Sequence, residues 1–135
     1  MTLETHPLDR LLTTDVVTVT PETTIVDAAS MLRSHDIGSL VVVDDAGTMQ
    51  GMVTSTDLVD IVSTGTIDAE ATVSEYMSTD VVTLDEGSDV SDAASKMIRN
   101  RVQHLPLLAE DGSVVGLLSA TDLTGYLSFT GGSDI

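Results

Sequence analysis

The chain is 135 residues long, enough for one compact domain that buries roughly two-thirds of the surface its unfolded form exposes. It contains no cysteine, which excludes disulfides, zinc-thiolate centres and thiol nucleophiles and is compatible with a reducing interior. Its 22 Asp and Glu against 5 Lys and Arg give a formal net charge of -17, a surface that repels nucleic acid and anionic lipid because binding either relies on Lys and Arg displacing counterions.

No run approaches the roughly 20 apolar residues of a membrane span, and Met1 to His6 lacks the basic, apolar pattern of a signal segment. The expectation is a soluble cytoplasmic protein with neither nucleic acid nor membrane as partner. The acids are interleaved with apolar positions, so they belong to the surface of a folded body and not to a disordered tail. With Lys96 as the only lysine, that surface suits a cytoplasm rich in salt, where screening quiets self-repulsion, and points to a halophilic source.

Read in chain order, the first apolar group is Leu8, Leu11 and Leu12, a helical turn ahead of a brief strand from Val16 to Val19. Ile25, Ala28, Ala29 and Leu32 then fall at i, i+3, i+4 and i+7, one face of a helix that Thr24 and Asp27 start in capping-box fashion. Two strands follow, Leu40 to Val43 and Met49 to Val53, around an acidic turn whose Gly47 supplies the positive φ of a hairpin. A second helix begins near Thr56 and carries Leu58, Val59, Ile61 and Val62; Ser63 to Thr72 is a polar connector.

The pattern then repeats 65 positions later without a gap: Asp15-Val16-Val17-Thr18 returns as Asp80-Val81-Val82-Thr83, and Asp27-Ala28-Ala29-Ser30 as Asp92-Ala93-Ala94-Ser95. Val73, Tyr76 and Met77 stand for the leading turn and Val81 to Leu84 for the first strand. Val90, Ala93, Ala94 and Met97 form the helix face, started by Asp89 and Asp92. Leu105 to Leu108 and Val114 to Leu118 flank Glu110-Asp111-Gly112, and Leu123, Tyr126 and Leu127 mark the last helix. The expected fold is α+β, two β-α-β-β-α repeats at 7–71 and 72–129 packed about a pseudo-twofold axis, with 130–135 a flexible tail.

The most specific polar pattern is the turn after each third strand, Thr54-Ser55-Thr56-Asp57 and Ser119-Ala120-Thr121-Asp122. A hydroxyl three residues before an aspartate gathers oxygens and unpaired amides at a helix N-terminus, where a phosphate can be held while the carboxylate accepts a ribose diol. The same spacing is equally an ordinary helix cap, and a repeat copies its caps as faithfully as its sites. His104 precedes Leu-Pro on a strand, a place more often given to packing than to catalysis, and His6 and His35 are too scattered for a metal site.

The unit resembles the cystathionine β-synthase (CBS) domain, and the chain resembles a tandem CBS pair, or Bateman module, over residues 7 to 128. The resemblance rests on Asp15 to Val19, Asp27-Ala28-Ala29, Gly38 to Val43 and Gly51 to Leu58, and on Asp80 to Leu84, Asp92-Ala93-Ala94, Gln103 to Leu107 and Gly116 to Leu123. It implies adenosine-containing ligands (AMP, ADP, ATP or S-adenosylmethionine) in two clefts between the copies, no resident cofactor or metal, and no catalysis. By the same resemblance Ser119, Thr121 and Asp122 line one cleft with Val102, Gln103 and His104 and with Val17 of the other copy. Thr54, Thr56 and Asp57 line the second with Ile37, Gly38 and Ser39 and with Val82 of the other copy.

The copies differ where this matters: Lys96, Arg99, Arg101 and His104 stand against Met31, Ser34, Asp36 and Ser39. The cleft of Ser119 and Asp122 is therefore expected to hold an anionic phosphate more tightly. The function implied is a regulatory module that senses adenine nucleotides, forms a homodimer and acts on another protein in trans. The alternatives are a ligand-free scaffold that dimerises through the helices near Ala28 to Leu32 and Ala93 to Met97, and a hydrolase using Asp122 and His104 in one site only.

Overall fold

The apolar spacing switches repeatedly between alternation and the helical period, and short strands and helices follow those switches. The computed structural model describes residues 7–65 and 67–131, the side chains of 7, 9 and 127–131 excepted. In chain order the elements are α1 (Pro7–Leu11), β1 (Thr18–Val19), α2 (Ile25–His35), β2 (Ser39–Val43), β3 (Met49–Thr54) and α3 (Ser55–Ser63). The series repeats as α4 (Val73–Tyr76), β4 (Leu84–Asp85), α5 (Val90–Asn100), β5 (His104–Leu108), β6 (Val114–Ser119) and α6 (Ala120–Gly131). The architecture is mixed α+β, two strand-and-helix repeats. Helix α6 carries into the tail expected from residue 130; 132–135, the N-terminal stretch through His6 and the Leu127 side chain lie outside the described residues.

Two compact units emerge, and they cut the chain at other places than the expected repeats. One is Val16–Val81; the other joins the segment ending at Asp15 to the chain from Val82 onward. The reason is an exchange of leading segments. In the first unit Ser78 bridges Met52, its N–H reaching the Met52 carbonyl at 2.9 Å while its own carbonyl receives the Met52 N–H at 3.0 Å. In the second, Thr13 and Leu117 exchange the same pair of bonds at 2.9 Å. Each segment thereby satisfies backbone groups on an edge strand, β3 or β6, that would otherwise stand open.

Within each unit the sheet has three strands, β1-β2-β3 and β4-β5-β6, the first pair parallel and the second antiparallel. The opening strands are shorter than expected, two residues each in place of Val16 to Val19 and Val81 to Leu84. Leu40, Val42 and Val53 meet Ile25, Ala28 and Leu32 of α2 and Leu58 and Ile61 of α3, closed by Ala71 and Val73. Leu84, Leu105, Leu107 and Leu118 meet Ala93 and Met97 of α5 and Leu123 of α6, closed by Leu8. Burying one such Leu or Val contributes about 1.5–3 kcal/mol.

The alanines lie against this core: Ala28 and Ala93 are fully buried, and α2 packs on α3 and α5 on α6 inside their own units. Within the segments expected to form a dimer face, Ala28, Leu32, Ala93 and Met97 are buried in their own units, while Ala29 and Ser30 are exposed.

Candidate functional site

Each unit builds the same corner. In the first, β2 and β3 pair so that Ser39 stands opposite Thr54, and the Ser55 N–H donates to the Gly38 carbonyl at 2.9 Å. That bond ties the start of α3 to the residue before β2 and brings Ile37, Gly38 and Ser39 to the same strand end as Thr54 and Asp57. In the second, His104 stands opposite Ser119 and the Ala120 N–H donates to the Gln103 carbonyl at 2.8 Å. Val102, Gln103 and His104 thus join Ser119 and Asp122. Thr56 and Thr121 are exposed at the first turn of each helix.

The hydroxyls act as caps in both corners. Thr54 Oγ1 accepts the Asp57 N–H at 3.1 Å, and Ser119 Oγ accepts the Asp122 N–H at 3.0 Å. The carboxylates then differ. Asp57 Oδ2 accepts the Thr54 N–H at 2.8 Å and closes a full capping box. Among the described residues the Asp122 carboxylate accepts no such bond, which leaves it outside the cap that its own N–H completes.

Val17 and Val82 each lie just before the first strand of their own unit, Val17 in that of Asp57 and Val82 in that of Asp122, and each packs in part on its own unit's core.

The cations of the second unit are not equivalent. The Lys96 ammonium donates to the Thr83 carbonyl at 2.6 Å, which ties α5 to the residue before β4. Arg99 and Arg101 are exposed; Arg101 closes α5 in the left-handed region at φ 54, as Asp36 closes α2 at φ 54. His104 is half-buried, and that burial pulls its imidazole below the ordinary value while the Asp122 carboxylate partly opposes the shift. Among the described residues no three His, Asp or Glu side chains form a group able to hold a metal ion, and no helix is long and apolar enough to cross a membrane.

The sequence reading missed Thr83 as the partner of Lys96. The available signal was Pro106 at the position of Val41, a residue without the N–H that a strand pair needs.

Comparison with known proteins is consistent across sequence and structure. The family model described as the CBS domain matches residues 8–64 and again 73–128. The chain is 33% identical over 112 residues to the CBS domain-containing protein YhcV of Bacillus subtilis, covering 83% of this chain and 79% of that protein. It is 35% identical over 115 residues to inosine-5′-monophosphate dehydrogenase of Thermoplasma acidophilum, but spans 22% of that enzyme's length. Its fold is similar, at a TM-score of 0.82 and 26% identity, to the CBS domain pair of protein MJ0100 in complex with 5′-methylthioadenosine and S-adenosyl-L-methionine, covering 89% of this chain and 94% of that one.

Proposed function

The chain belongs to the CBS domain family, with two copies of the domain, and from that premise we propose that it is a regulatory module that binds adenosine-containing small molecules at its two strand-to-helix corners. One observation carries the reading: each corner presents a capping hydroxyl, helix-start amides and a carboxylate three residues on, at Thr54 and Asp57 and at Ser119 and Asp122. The amides and hydroxyl suit a phosphate or another electron-rich group; the carboxylate suits a ribose diol. These groups hold a ligand and transform nothing, so the module does no chemistry of its own and acts by altering another protein. The adenosyl ligands of the MJ0100 pair support the ligand class.

The Asp122 carboxylate, left outside its cap, and the nearby Arg101 favour the second corner as the tighter site. The anionic surface suits a salt-rich cytoplasm. Titration calorimetry in molar KCl with AMP, ATP and S-adenosylmethionine tests the reading: heat for at least one, diminished by Asp122→Ala, supports it, and no heat for any ends it.

The scaffold alternative draws on Val59 and Val62, which α3 leaves 67% and 63% exposed in place of the alanine faces first expected. A homodimer through α3 is compatible with ligand binding. Saturating AMP raising the melting temperature separates a nucleotide sensor from an empty scaffold.

A further inference from the structure

We propose that His104 makes the corner of Ser119 and Asp122 selective for adenosine ligands that carry an anionic phosphate, with affinity rising as pH falls, while the corner of Thr54 and Asp57 lacks this property. The inference rests on the proposed function and specifies the ligand class and regulation of one of its two sites.

The geometry is a cluster on one strand end. His104 opens β5 directly opposite Ser119, Ser119 Oγ caps the helix that carries Asp122, and the Gln103 carbonyl holds the Ala120 N–H. The imidazole therefore sits in register with the helix start where a phosphate would rest. No hydrogen bond among the described residues engages its ring, which leaves both nitrogens for a ligand. The first unit has Ser39 in this place, 2% exposed and never charged.

The groups around His104 leave it a single charged neighbour. Of the titratable side chains on the elements packed against β5 (Asp85 on β4, Asp92, Lys96 and Arg99 on α5) and on α6 beyond β6 (Asp122 and Tyr126), the one whose charge acts on the imidazole is Asp122. Lys96 donates to the Thr83 carbonyl. Burial favours the neutral ring near neutral pH, so without ligand the imidazole adds no positive charge beside Asp122. Protonation adds a donor and a positive charge beside the helix start. A bound phosphate favours that protonated ring, so binding takes up a proton and tightens as pH falls; a neutral nucleoside draws no such proton.

The test is calorimetric titration of the full chain with AMP and with adenosine, between about pH 7.5 and pH 5.5. Wild type is compared with His104→Ser, which installs the residue of the other repeat, and His104→Gln, which keeps a polar side chain of similar length. The variants also remove the contribution of the AMP phosphate, which titrates near pH 6. The expected result is AMP affinity rising about tenfold more in wild type than in either variant, the effect of a one-unit change in the imidazole pKa on binding, with adenosine profiles parallel in all three. AMP binding with parallel profiles in wild type and variants overturns the role of His104 and leaves the ligand class standing. No AMP binding to wild type at any pH overturns both.

Discussion

Lys96, the only lysine in the chain, donates its ammonium to the backbone carbonyl of Thr83 at 2.6 Å. The repeat explains why it must. In the first unit Thr18 pairs with Val41 in the parallel ladder; the equivalent Thr83 makes no pair with Pro106, and β4 begins one residue later, at Leu84. Proline has no N–H to donate, so a pairing is lost and a side chain from α5 holds the strand instead. Lys96→Met, which installs the residue of the first repeat, is expected to cost about 1.5–3 kcal/mol, the worth of a hydrogen bond to a charged group. Pro106→Val should reduce that cost by allowing the ladder to form. A double-mutant cycle by urea denaturation measures the coupling, and strict additivity would refute it.

Gly51 and Gly116 occupy matched positions, yet an added methyl group should affect them differently. A Cβ on Gly51 would come within 2.7 Å of both the Ser78 carbonyl and the Met77 sulfur, whereas on Gly116 the nearest atom is a Leu12 methyl at 3.4 Å. A backbone carbonyl held in a two-bond bridge cannot yield as a side chain can. Gly51→Ala should destabilise by about 1–3 kcal/mol through overpacking, and Gly116→Ala should cost clearly less. Thermal denaturation of the two variants checks the order.

The two aspartates should separate stability from binding. Asp57 closes a capping box on Thr54, so Asp57→Ala should lose about 0.5–2 kcal/mol of stability. Asp122 lends only its N–H to the cap, which alanine keeps, so Asp122→Ala should cost less stability and more nucleotide affinity. Equal losses in both measurements would contradict the distinction.

The depressed imidazole of His104 also fixes the sign of a pH effect on the ligand-free protein. Below its ordinary value of 6.5 the unfolded chain binds this proton more readily than the fold does. The stability it contributes is present above that value and is lost as pH falls. Melting temperature should therefore decline between about pH 7 and pH 5.5 more steeply in wild type than in His104→Ser. Asp111, whose carboxylate accepts the Ser113 hydroxyl and N–H and is held below its ordinary range, acts only at more acidic pH.

A formal charge of -17 on 135 residues predicts a strong salt response. Melting temperature should climb from low salt to molar KCl as mutual repulsion is screened. An unchanged melt would remove the basis for a halophilic source.

The repeat, its elements and the pairing of hydroxyl with aspartate were legible in the sequence because each is a local matter: apolar period, turn glycines and cap spacing act within a few residues. Strand ends were less legible, since Val16, Val17 and Val81 look like strand residues but pairing partners, not propensity, decide where a ladder begins. Only the tertiary structure decided that Ser78 closes the sheet of the first unit and Thr13 that of the second, because an open strand edge takes whichever backbone reaches it. It also decided the fates of groups that look alike on paper. Lys96 went to the Thr83 carbonyl beside the short opening strand, and Asp57 closed its cap while Asp122 did not. A residue's type sets what it can bond; which bond it makes depends on neighbours that are far away in the chain.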